Sequence, residues 1–364
     1  MMKKHIIDGL EFENDIHSTV ENADFTALDR LYRGRKAYFG DFHCHTNSGG
    51  TSDGRFPPEA WLAGLKEYKM DFVGIMDHKQ IRHMYLESFD PEYIVCGSEP
   101  GGSWNEPHLG FHYLMIVPER ECLKRVIEKF PDVYEFTGGE EGTFVYKRIE
   151  RERFLEIVKA IRAEGGNVIH AHPKQTMKSD DPSDFYFGEG TGIEIIYTKS
   201  PFTVANEDTK KNYRLWMDML DRGFKVINTA TSDSHYQTML LGLNTVYSAE
   251  KHGRAYVEYL HRGDLNAGFF GIKMCVGGYP MGSTGEYREG MELLIKIEDV
   301  HPYRFDKDET YRLDVLSDKG LVYSSVIELP FKVAIKAERR RFYRAVVIRE
   351  SDGAPAAIGN PVWF

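Results

Sequence analysis

Two histidines set two positions apart open the part of the chain that could do chemistry. The stretch GDFHCHTNSGGTSDG, residues 40 to 54, contains His43 and His45 ahead of a glycine-rich loop that carries Asp53. In a β-strand, residues i and i+2 point to the same side, so the two imidazoles converge while Cys44 points the other way. Converging neutral imidazoles are typical of a metal site, although a pair of half-exposed histidines can share this spacing by accident.

The other candidate ligands stand where short apolar runs end. His78 ends DFVGIMDH, Glu99 ends EYIVCGSE, His172 follows NVIHA, and Asp233 and His235 end KVINTATSDSH. His112 instead begins its run, HYLMIV, and reaches the same edge only if that strand is antiparallel to the one ending at Glu99. In α/β barrels the C-terminal edge of the strands carries the chemistry, because the loops there vary without disturbing the core. One such residue alone is ordinarily a hydrogen-bonded side chain, but their recurrence at successive strand ends predicts a metal centre.

The segments between these runs have the spacing of helices. PPEAWLAGLKEYKM, RERFLEIVKAIRAEGG and NYRLWMDMLDRG each place apolar residues three or four positions apart. Alternating strands and helices predict an α/β fold, either a barrel or a doubly wound sheet. Residues 266 to 364 alternate strand runs such as YRLDVLS with turns such as DKG, which predicts a β-rich, sandwich-like unit. We therefore expect an irregular N-terminal extension over residues 1–36, an α/β unit that carries the candidate ligands over 37–265 and a β-rich C-terminal domain over 266–364.

The composition excludes several classes of protein. The chain has 364 residues and a formal net charge of −10, with 41% hydrophobic and 28% charged residues, and no stretch offers the roughly 20 apolar residues of a membrane helix. The opening residues, MMKKHIIDGLEFENDIHSTV, lack the apolar core of a secretion signal, which predicts a cytoplasmic protein. The four cysteines are scattered, so neither a disulfide framework nor a thiolate zinc site is expected. The acidic balance argues against an extended nucleic-acid surface.

The candidate stretches together resemble a known family. DFHCHT, SDG, MDH, GSE, HYLMIV, HAHP and TSDSH are similar, in this order, to the motifs of the PHP (polymerase and histidinol phosphatase) superfamily, and they spread over residues 41 to 235. The resemblance implies a distorted seven-stranded βα barrel, TIM-like in outline, whose rim binds two or three divalent ions. It further implies that His43, His45, Glu99 and Asp233 bind one ion, that Glu99, His112 and His172 bind a second, and that Asp53, His78 and His235 bind a third. Imidazole and carboxylate ligands without thiolate suit zinc, iron or manganese.

Two features depart from the family pattern. Eight positions separate His45 from Asp53, more than in the usual family loop, so NSGG resembles an insertion. Lys79 follows His78 where the family commonly carries a small polar or acidic residue. A cation there could bind an anionic substrate or extend into solvent. The candidate substrate-binding cations close to the ligand stretches are Lys79, Arg82 and Lys174.

A multinuclear site of this kind predicts a hydrolase. A water that bridges two divalent ions loses a proton near neutral pH, and the resulting hydroxide attacks a phosphorus or carbonyl centre while a metal polarises the substrate oxygen. In this scheme Glu99 bridges the ions, His172 or His235 helps to orient the leaving group, and Asp77 fixes the imidazole tautomers from outside the ligand shell. The predicted activity is hydrolysis of a small-molecule phosphoester.

Two alternatives stay open. The tail RFYRAVVIRESDGAPAAIGNPVWF is similar to a PHP branch of carbaryl-hydrolase-like proteins, CehA/McbA, and this favours amide, ester or carbamate hydrolysis. The second alternative is a PHP-like protein that keeps its ions but catalyses nothing. The C-terminal domain could pack against the barrel or supply an oligomer surface, and shaping of the substrate site is the less favoured option. The sequence leaves the substrate, the metal and the oligomeric state open.

Overall fold

The computed structural model describes residues 3–5, 10–104, 109–137, 143–146, 148–197, 206–236, 243–301 and 309–364. Its helices are α1 (Thr26–Leu31), α2 (Pro58–Glu67), α3 (Arg120–Lys129), α4 (Arg151–Ala163), α5 (Pro173–Thr176), α6 (Glu207–Asp221) and α7 (Gly253–Arg262), with 3-10 turns at Arg82–Tyr85 and Pro182–Phe185. Its strands up to residue 231 are β1 (Lys3–His5), β2 (Leu10–Phe12), β3 (Lys36–Cys44), β4 (Phe72–Ile75), β5 (Ile94–Ser98), β6 (Gly102–Ser103), β7 (Gly110–Val117), β8 (Tyr134–Thr137), β9 (Thr143–Tyr146), β10 (Asn167–Ala171), β11 (Gly192–Tyr197) and β12 (Ile227–Thr231). The later strands are β13 (Asn244–Ser248), β14 (Leu265–Gly268), β15 (Gly271–Val276), β16 (Tyr279–Pro280), β17 (Glu292–Glu298), β18 (Tyr311–Ser317), β19 (Gly320–Ile327), β20 (Phe331–Lys336), β21 (Phe342–Arg349), β22 (Pro355–Gly359) and β23 (Val362–Trp363).

The spacing of apolar residues explains where these elements form. Helix α4 buries Phe154, Ile157 and Ile161, which recur at the three- and four-residue spacing of one helix face. Asn206 is the N-cap of helix α6, and its side chain accepts a hydrogen bond from the Thr209 amide at 2.7 Å, which satisfies an otherwise unpaired N–H of the first turn. Strand β10 is buried along its whole length, as expected for a sheet that is covered on both faces.

Seven strands lie side by side in the order β3, β4, β5, β7, β10, β11, β12 within one large sheet, and the chain is a mixed α/β protein. Neighbours in this series are parallel except at β7, which is antiparallel to both β5 and β10. The two outer strands meet again at their C-terminal ends, because Cys44 forms a parallel bridge with Ser234 and the His45 amide donates to the Ser234 carbonyl at 2.9 Å. Strand β7, which contains His112, is antiparallel to β5, and this is the condition under which His112 reaches the edge where β5 ends.

The same sheet continues beyond β3 through β13, β14, β22, β21, β18 and β19. Facing its C-terminal strands lies a second sheet of four strands in the order β16, β15, β17, β20. Ile272 and Ile295 of the second sheet pack with Leu313 and Val347 of the first in one buried cluster. The sheet is continuous across residue 265, since β14 pairs with β22.

Asn360, directly after β22, ties two strands of the large sheet together. Its Oδ1 accepts a hydrogen bond from the Asn228 amide at 2.6 Å, and its Nδ2 donates to the Leu265 carbonyl at 3.1 Å. The first half of β12 is thereby held by a residue that comes much later in the chain.

The N-terminal segment is more ordered than its sequence suggests. The absence of a sustained period predicts an irregular extension, and this is wrong for α1, which buries Leu28 against a small apolar cluster. Asn14 and Thr19 form single bridges with Leu321 and Ile335 of the C-terminal strands. These partners lie some three hundred residues away along the chain, so no local pattern could indicate them. None of the helices in the ranges described is long and apolar enough to span a bilayer.

Candidate metal centre

The rim of the seven strands brings all nine predicted ligands together. Their nitrogen and oxygen atoms form three groups, and within each group the atoms lie within 4.8 Å of one another. The groups are His43, His45, Glu99 and Asp233; Glu99, His112 and His172; and His45, Asp53, His78 and His235. Glu99 and His45 each belong to two groups, and the presence of His45 in the third group differs from the set that the family resemblance implies.

Glu99 Oε2 is the centre of the first group. It lies 3.2 Å from the Nε2 atoms of both His43 and His45. Asp233 Oδ1 lies 3.4 Å from His43 Nε2 and 3.1 Å from His45 Nε2. These side chains arrive from the ends of β3, β5 and β12. Two imidazoles and two carboxylates so close together form a donor set that suits a four-coordinate divalent ion.

The second oxygen of Glu99 serves the second group. Oε1 lies 3.0 Å from His112 Nδ1 and 3.2 Å from His172 Nε2. The Glu99 side chain is fully buried, and its two oxygens face different sets of imidazoles. A carboxylate placed in this way can bridge two cations.

Asp53 anchors the third group from the loop after β3. Its carboxylate oxygens lie 3.3 Å from His235 Nε2, 3.7 Å from His78 Nε2 and 3.8 Å from His45 Nδ1. About half of the Asp53 side chain is exposed, which makes this group the most open of the three. The loop packs tightly on the strand end, since a Cβ at Gly54 would lie 2.5 Å from the carbonyl carbon of His45. Only glycine permits that approach.

The backbone is strained where ligands leave their strands. His172 has a φ of 28° and Asp233 a φ of 48°, and Lys79, next to His78, has a φ of 53°. Positive φ values are costly for residues other than glycine and persist where the surrounding structure holds them. At His172 and Asp233 this unusual geometry directs a ligand side chain toward the shared space.

Glu194, in the middle of β11, is a site residue that the sequence analysis missed. Its Oε1 lies 2.8 Å from His43 Nδ1, and its Oε2 accepts a hydrogen bond from the His172 amide at 2.7 Å. By binding Nδ1 of His43, it leaves Nε2 to face Glu99, which is how carboxylates outside a ligand shell orient metal-binding imidazoles. The available signal is a single carboxylate in the otherwise apolar run GIEIIY.

Asp77 supports the loop of the third group. It accepts hydrogen bonds from the amide and the hydroxyl of Thr46, each at 2.7 Å, and from the hydroxyl of Ser48. The imidazole it contacts is that of His83, at 3.4 Å, which is not one of the predicted ligands. Burial opposes the ionisation of Asp77, but these partners hold its pKa well below the usual range. Glu194, rather than Asp77, has a carboxylate oxygen 2.8 Å from the ring of a predicted ligand, at His43 Nδ1, and the role predicted for Asp77 stays a prediction.

The charges in the cluster are strongly coupled. Burial disfavours a charge on His43, but the surrounding carboxylates, Glu99 first, outweigh it and raise the pKa of His43 well above its usual range. Burial also disfavours a charge on His45, but Asp233 and Glu99 outweigh this effect and raise the pKa of His45 to about 9. Burial also opposes the ionisation of Glu99, yet the imidazoles around it hold its pKa well below the usual range. Protons on the imidazoles therefore balance the carboxylates, and a divalent ion would take the place of those protons.

Two ligand atoms have no hydrogen-bond partner within the described part of the chain. They are Glu99 Oε2 and His45 Nδ1, and both are buried. Buried polar atoms are nearly always paired, so an unpaired carboxylate oxygen that faces three imidazoles indicates a space shaped for a cation. The residues present thus fit divalent metal ions.

The three candidate substrate-binding cations differ in their surroundings. Lys79 lies beside the cluster, and its amide donates to the Glu99 carbonyl at 3.3 Å. Arg82 is half-buried, and its Nε has no hydrogen-bond partner among the residues that the structure describes. Lys174 instead donates to the Ser179 carbonyl at 2.7 Å and lies 4.9 Å above the Phe185 ring. Its ammonium group is therefore engaged within its own loop.

Comparisons with known proteins give distant likenesses. No protein-family model matches the sequence, and no curated protein matches it. Similar solved structures include an amidohydrolase from Chromobacterium violaceum, 13% identical, with a TM-score of 0.36, over 56% of this chain and 90% of that one. A protein assigned as a metal-dependent phosphoesterase, from Bifidobacterium adolescentis, is 15% identical with a TM-score of 0.33 over 56% of this chain and 90% of its own. A lesion-specific endonuclease from Pyrococcus furiosus is 15% identical with a TM-score of 0.40 over 61% of this chain and 56% of its own. All three TM-scores lie below 0.5, so they establish neither a common fold nor a common activity.

Proposed function

We propose that this protein is a metal-dependent hydrolase that acts on small phosphoesters. The observation that carries the proposal is the buried Glu99 carboxylate. Its Oε2 faces His43 and His45 at the end of β3, each at 3.2 Å. Its Oε1 faces His112 at 3.0 Å and His172 at 3.2 Å, from two other strands. We assign the nine residues of the three groups as ligands of two to three divalent ions. Their nitrogen and oxygen donors suit zinc, manganese or iron.

The residues of the chain divide the work of hydrolysis. Divalent ions in these groups would acidify a water molecule and polarise the substrate oxygen. Glu99 holds the first two groups side by side, and His172 and His235 are assigned to orient the leaving group. Asp77 holds the loop that carries Asp53, so that the third group can form. No side-chain nucleophile is required.

Arg82 and Lys79 favour an anionic substrate. A phosphomonoester dianion needs cationic partners beyond the metal ions, and charge-assisted hydrogen bonds from a guanidinium fit phosphate oxygens well. No carboxylate of the described ranges forms an ion pair with Arg82, so its charge is available. Because Lys174 is bound to Ser179, we assign substrate contact to Arg82 ahead of it. Lys79 is assigned the same role because it directly follows the candidate ligand His78.

An amide, ester or carbamate is the second candidate substrate. Tyr236, next to the ligand His235, is 60% exposed, and the Arg55 guanidinium lies 4.5 Å from its ring centre. An exposed aromatic ring beside the metal centre would suit the aryl group of a neutral substrate.

The proposal also covers the fold. We assign the seven strands to a distorted barrel of the PHP type over residues 37–265, followed by a β-sandwich over 266–364 and preceded by the extension over 1–36. Membership of the PHP superfamily belongs to the same proposal, and the match of the ligand order to the family motifs supports it. A cytoplasmic location is proposed with it.

Elemental analysis and a substrate panel test this function together. Protein purified without chelator should carry about two to three transition ions per chain. It should release phosphate from p-nitrophenyl phosphate or a nucleotide monophosphate in the presence of zinc, manganese or iron. Less than half an ion per chain after incubation with zinc or manganese would contradict the metal centre. Turnover of a naphthyl carbamate without any phosphate release would instead select the second candidate.

Substitution of the cations separates the two substrates further. Arg82→Ala or Lys79→Ala should lower kcat/KM for a phosphoester by one or two powers of ten, about 1.4 kcal/mol for each power. Lys159→Ala, at an exposed position of α4, is the matched control and should change nothing. Equal kcat/KM values for all three variants would remove the support that these cations give to phosphoester chemistry.

A further inference from the structure

A second cleft lies at the other end of the barrel strands. It has a volume of about 490 Å³ and is bordered by Ile227, the first residue of β12, and by Trp363 of β23. The ligands Asp233 and His235 follow the last residue of β12, so the length of that strand separates the cleft from the metal centre. Nothing in the proposed hydrolysis uses this cleft.

The cleft lies where the barrel and the C-terminal strands pack closely against each other. Gly282 has a φ of 78°, and a Cβ there would lie 2.0 Å from the Arg262 carbonyl oxygen and 2.6 Å from the Gly263 Cα. The turn that contains Gly282 thus packs backbone to backbone on the end of α7. Such close packing fixes the distance between the two walls.

Four cations and two acids line the cleft, and three of the cations are neutralised. The pairs are Arg35 with Asp264 at 2.7 Å, Lys225 with Glu189 at 3.1 Å, and Arg262 with Glu258. Paired cations of this kind attract a further anion only weakly, because their charge is already compensated. The remaining cation is Arg162.

Arg162 keeps an uncompensated charge. Its Nη1 donates to the carbonyls of Gly190 and His261, both at 2.9 Å, and it has no ion pair with a carboxylate of the described residues. Burial lowers the pKa of this guanidinium, although Glu189 partly opposes the shift. Its Nη2 lies against Gly190, where a Cβ would come within 2.7 Å of it. The guanidinium is held firmly by one nitrogen and has donors left on the others.

Trp363 supplies a second unused donor. Its side chain lines the cleft and is 5% exposed, and its indole Nε1 is buried without an acceptor in the parts of the chain described here. A buried N–H that lacks an acceptor costs free energy, and an anionic group between Trp363 and Arg162 would remove that cost. Leu31 and Met281 add apolar surface beside these donors.

We propose that this cleft binds a small organic anion, whose single carboxylate or phosphate group contacts Arg162 and Trp363 and whose apolar part contacts Leu31 and Met281. One uncompensated guanidinium matches one anionic group, and the apolar lining distinguishes the ligand from an inorganic ion. The site is separate from the metal centre and does not depend on the hydrolytic function.

The indole N–H signals in a ¹H–¹⁵N spectrum of the full chain test this proposal. The sequence contains four tryptophans, and two of them report on the two sites: Trp363 on the cleft, and Trp61, whose Nε1 donates to the His45 carbonyl at 3.1 Å, on the metal centre. Phenyl phosphate and benzoate are the two probes, benzyl alcohol is the neutral control, and Trp363→Phe assigns the signal. We expect a saturable shift of the Trp363 signal with at least one anionic probe and none with benzyl alcohol.

Three variants decide the outcome. Arg162→Gln should weaken the binding seen at Trp363 by about tenfold or more, which corresponds to the loss of one charge-assisted hydrogen bond. Glu189→Gln, at a side chain that is 68% exposed, should strengthen binding by about two- to fivefold at low ionic strength, because it leaves Lys225 uncompensated. Glu99→Gln should leave the Trp363 response unchanged even if the Trp61 response disappears. The proposal is overturned if neither probe at 10 mM, roughly ten times a Kd of about 1 mM, shifts the Trp363 signal. It is also overturned if Glu189→Gln fails to strengthen binding, a result that stands even where Arg162→Gln does not fold.

Discussion

Two clusters of histidine and acid occur in the described residues, and they differ in what balances their charge. The ligand atoms of Asp15, His17 and Glu338 lie as close to one another as those around Glu99. In this second cluster, however, the Arg340 guanidinium donates to both oxygens of Asp15 at 2.6 Å and to Glu338 at 2.8 Å. A side-chain cation already occupies the position that a metal ion would take.

The acids of the candidate metal centre have different partners. Within the ranges that the structure describes, the ion-pair partners of Glu99 and Asp233 are all imidazoles. Imidazoles balance carboxylates only while they hold protons, and they release those protons to a metal ion. Proximity of histidine and acid is therefore an incomplete sign of a metal site. Among the described residues, the two clusters differ in that neither Glu99 nor Asp233 forms an ion pair with lysine or arginine.

The largest effect in this comparison should come from Glu99→Gln. The substitution removes a charge shared by two ligand groups, so the metal content should fall by at least about one ion per chain and the hydrolytic rate by about three powers of ten. Elemental analysis and the hydrolase assay measure both. Glu338→Gln removes the corresponding acid from the cluster that contains Arg340, and it should leave metal content and rate unchanged. A loss of metal in Glu338→Gln would break the comparison.

Glu194→Gln should have an intermediate effect. The amide can still face His43, but it no longer stabilises the N–H at Nδ1 with a full charge, so metal affinity should fall by about 10- to 100-fold. A competition titration with a chelating dye gives the affinity without any need for substrate. An unchanged affinity would show that Glu194 merely pairs with His43 and does not orient it for a metal.

Asp15→Asn tests the cluster that contains Arg340, through the pH dependence of the unfolding free energy. Burial raises and the Arg340 contacts lower the pKa of Asp15, with a net shift below its ordinary value of 3.8. The stabilisation is therefore complete about one pH unit above 3.8, and it disappears as the pH falls through the lowered pKa. At pH 7 the variant should lose about 1 to 2 kcal/mol of unfolding free energy, measured by denaturant titration. The difference from the natural protein should shrink below pH 4, and a difference that grows there would contradict the ion pair.

The smallest effect should come from Cys44→Ser. Cys44 is buried between the two ligands His43 and His45, but its Sγ faces the Ser232 hydroxyl at 3.7 Å, away from the ligand atoms. Metal content and rate should stay within about twofold of the natural protein, because the side chain points to the other face of β3. A loss of metal in this variant would mean that the orientation of β3 is wrong.

Local patterns in the sequence indicated which residues would meet, because a strand end is visible in the sequence. His78, Glu99 and His172 each follow an apolar run, and the rule that catalytic loops leave the C-terminal edge of the strands was enough to group them. His112 required one further assumption, the antiparallel β7, which the structure confirms. The mixed α/β character followed from the alternation of strand and helix spacing.

Contacts between distant segments could not be predicted in the same way. Glu194 looks like any strand residue until β11 is placed beside β3 and β10. Asp77 stands next to a ligand in sequence, yet it faces Thr46 and Ser48 because the loop after β3 folds back over it. The uncompensated charge of Arg162 likewise depends on which carboxylates lie near it in space. Single-residue types and spacings carry no information about such neighbours.

Asn360 affects when the strand that leads to Asp233 and His235 can be anchored during translation. The strand that delivers Asp233 and His235 begins beside Asn228, whose hydrogen-bond partner is translated 132 residues later. At about 5–20 residues per second, the ribosome adds that partner on the order of ten seconds after Asn228 itself. Once residue 235 has been added, a nascent chain contains all nine candidate ligands but still lacks the anchor of β12. The strand that leads to Asp233 and His235 therefore gains this anchor only after Asn360 has been translated.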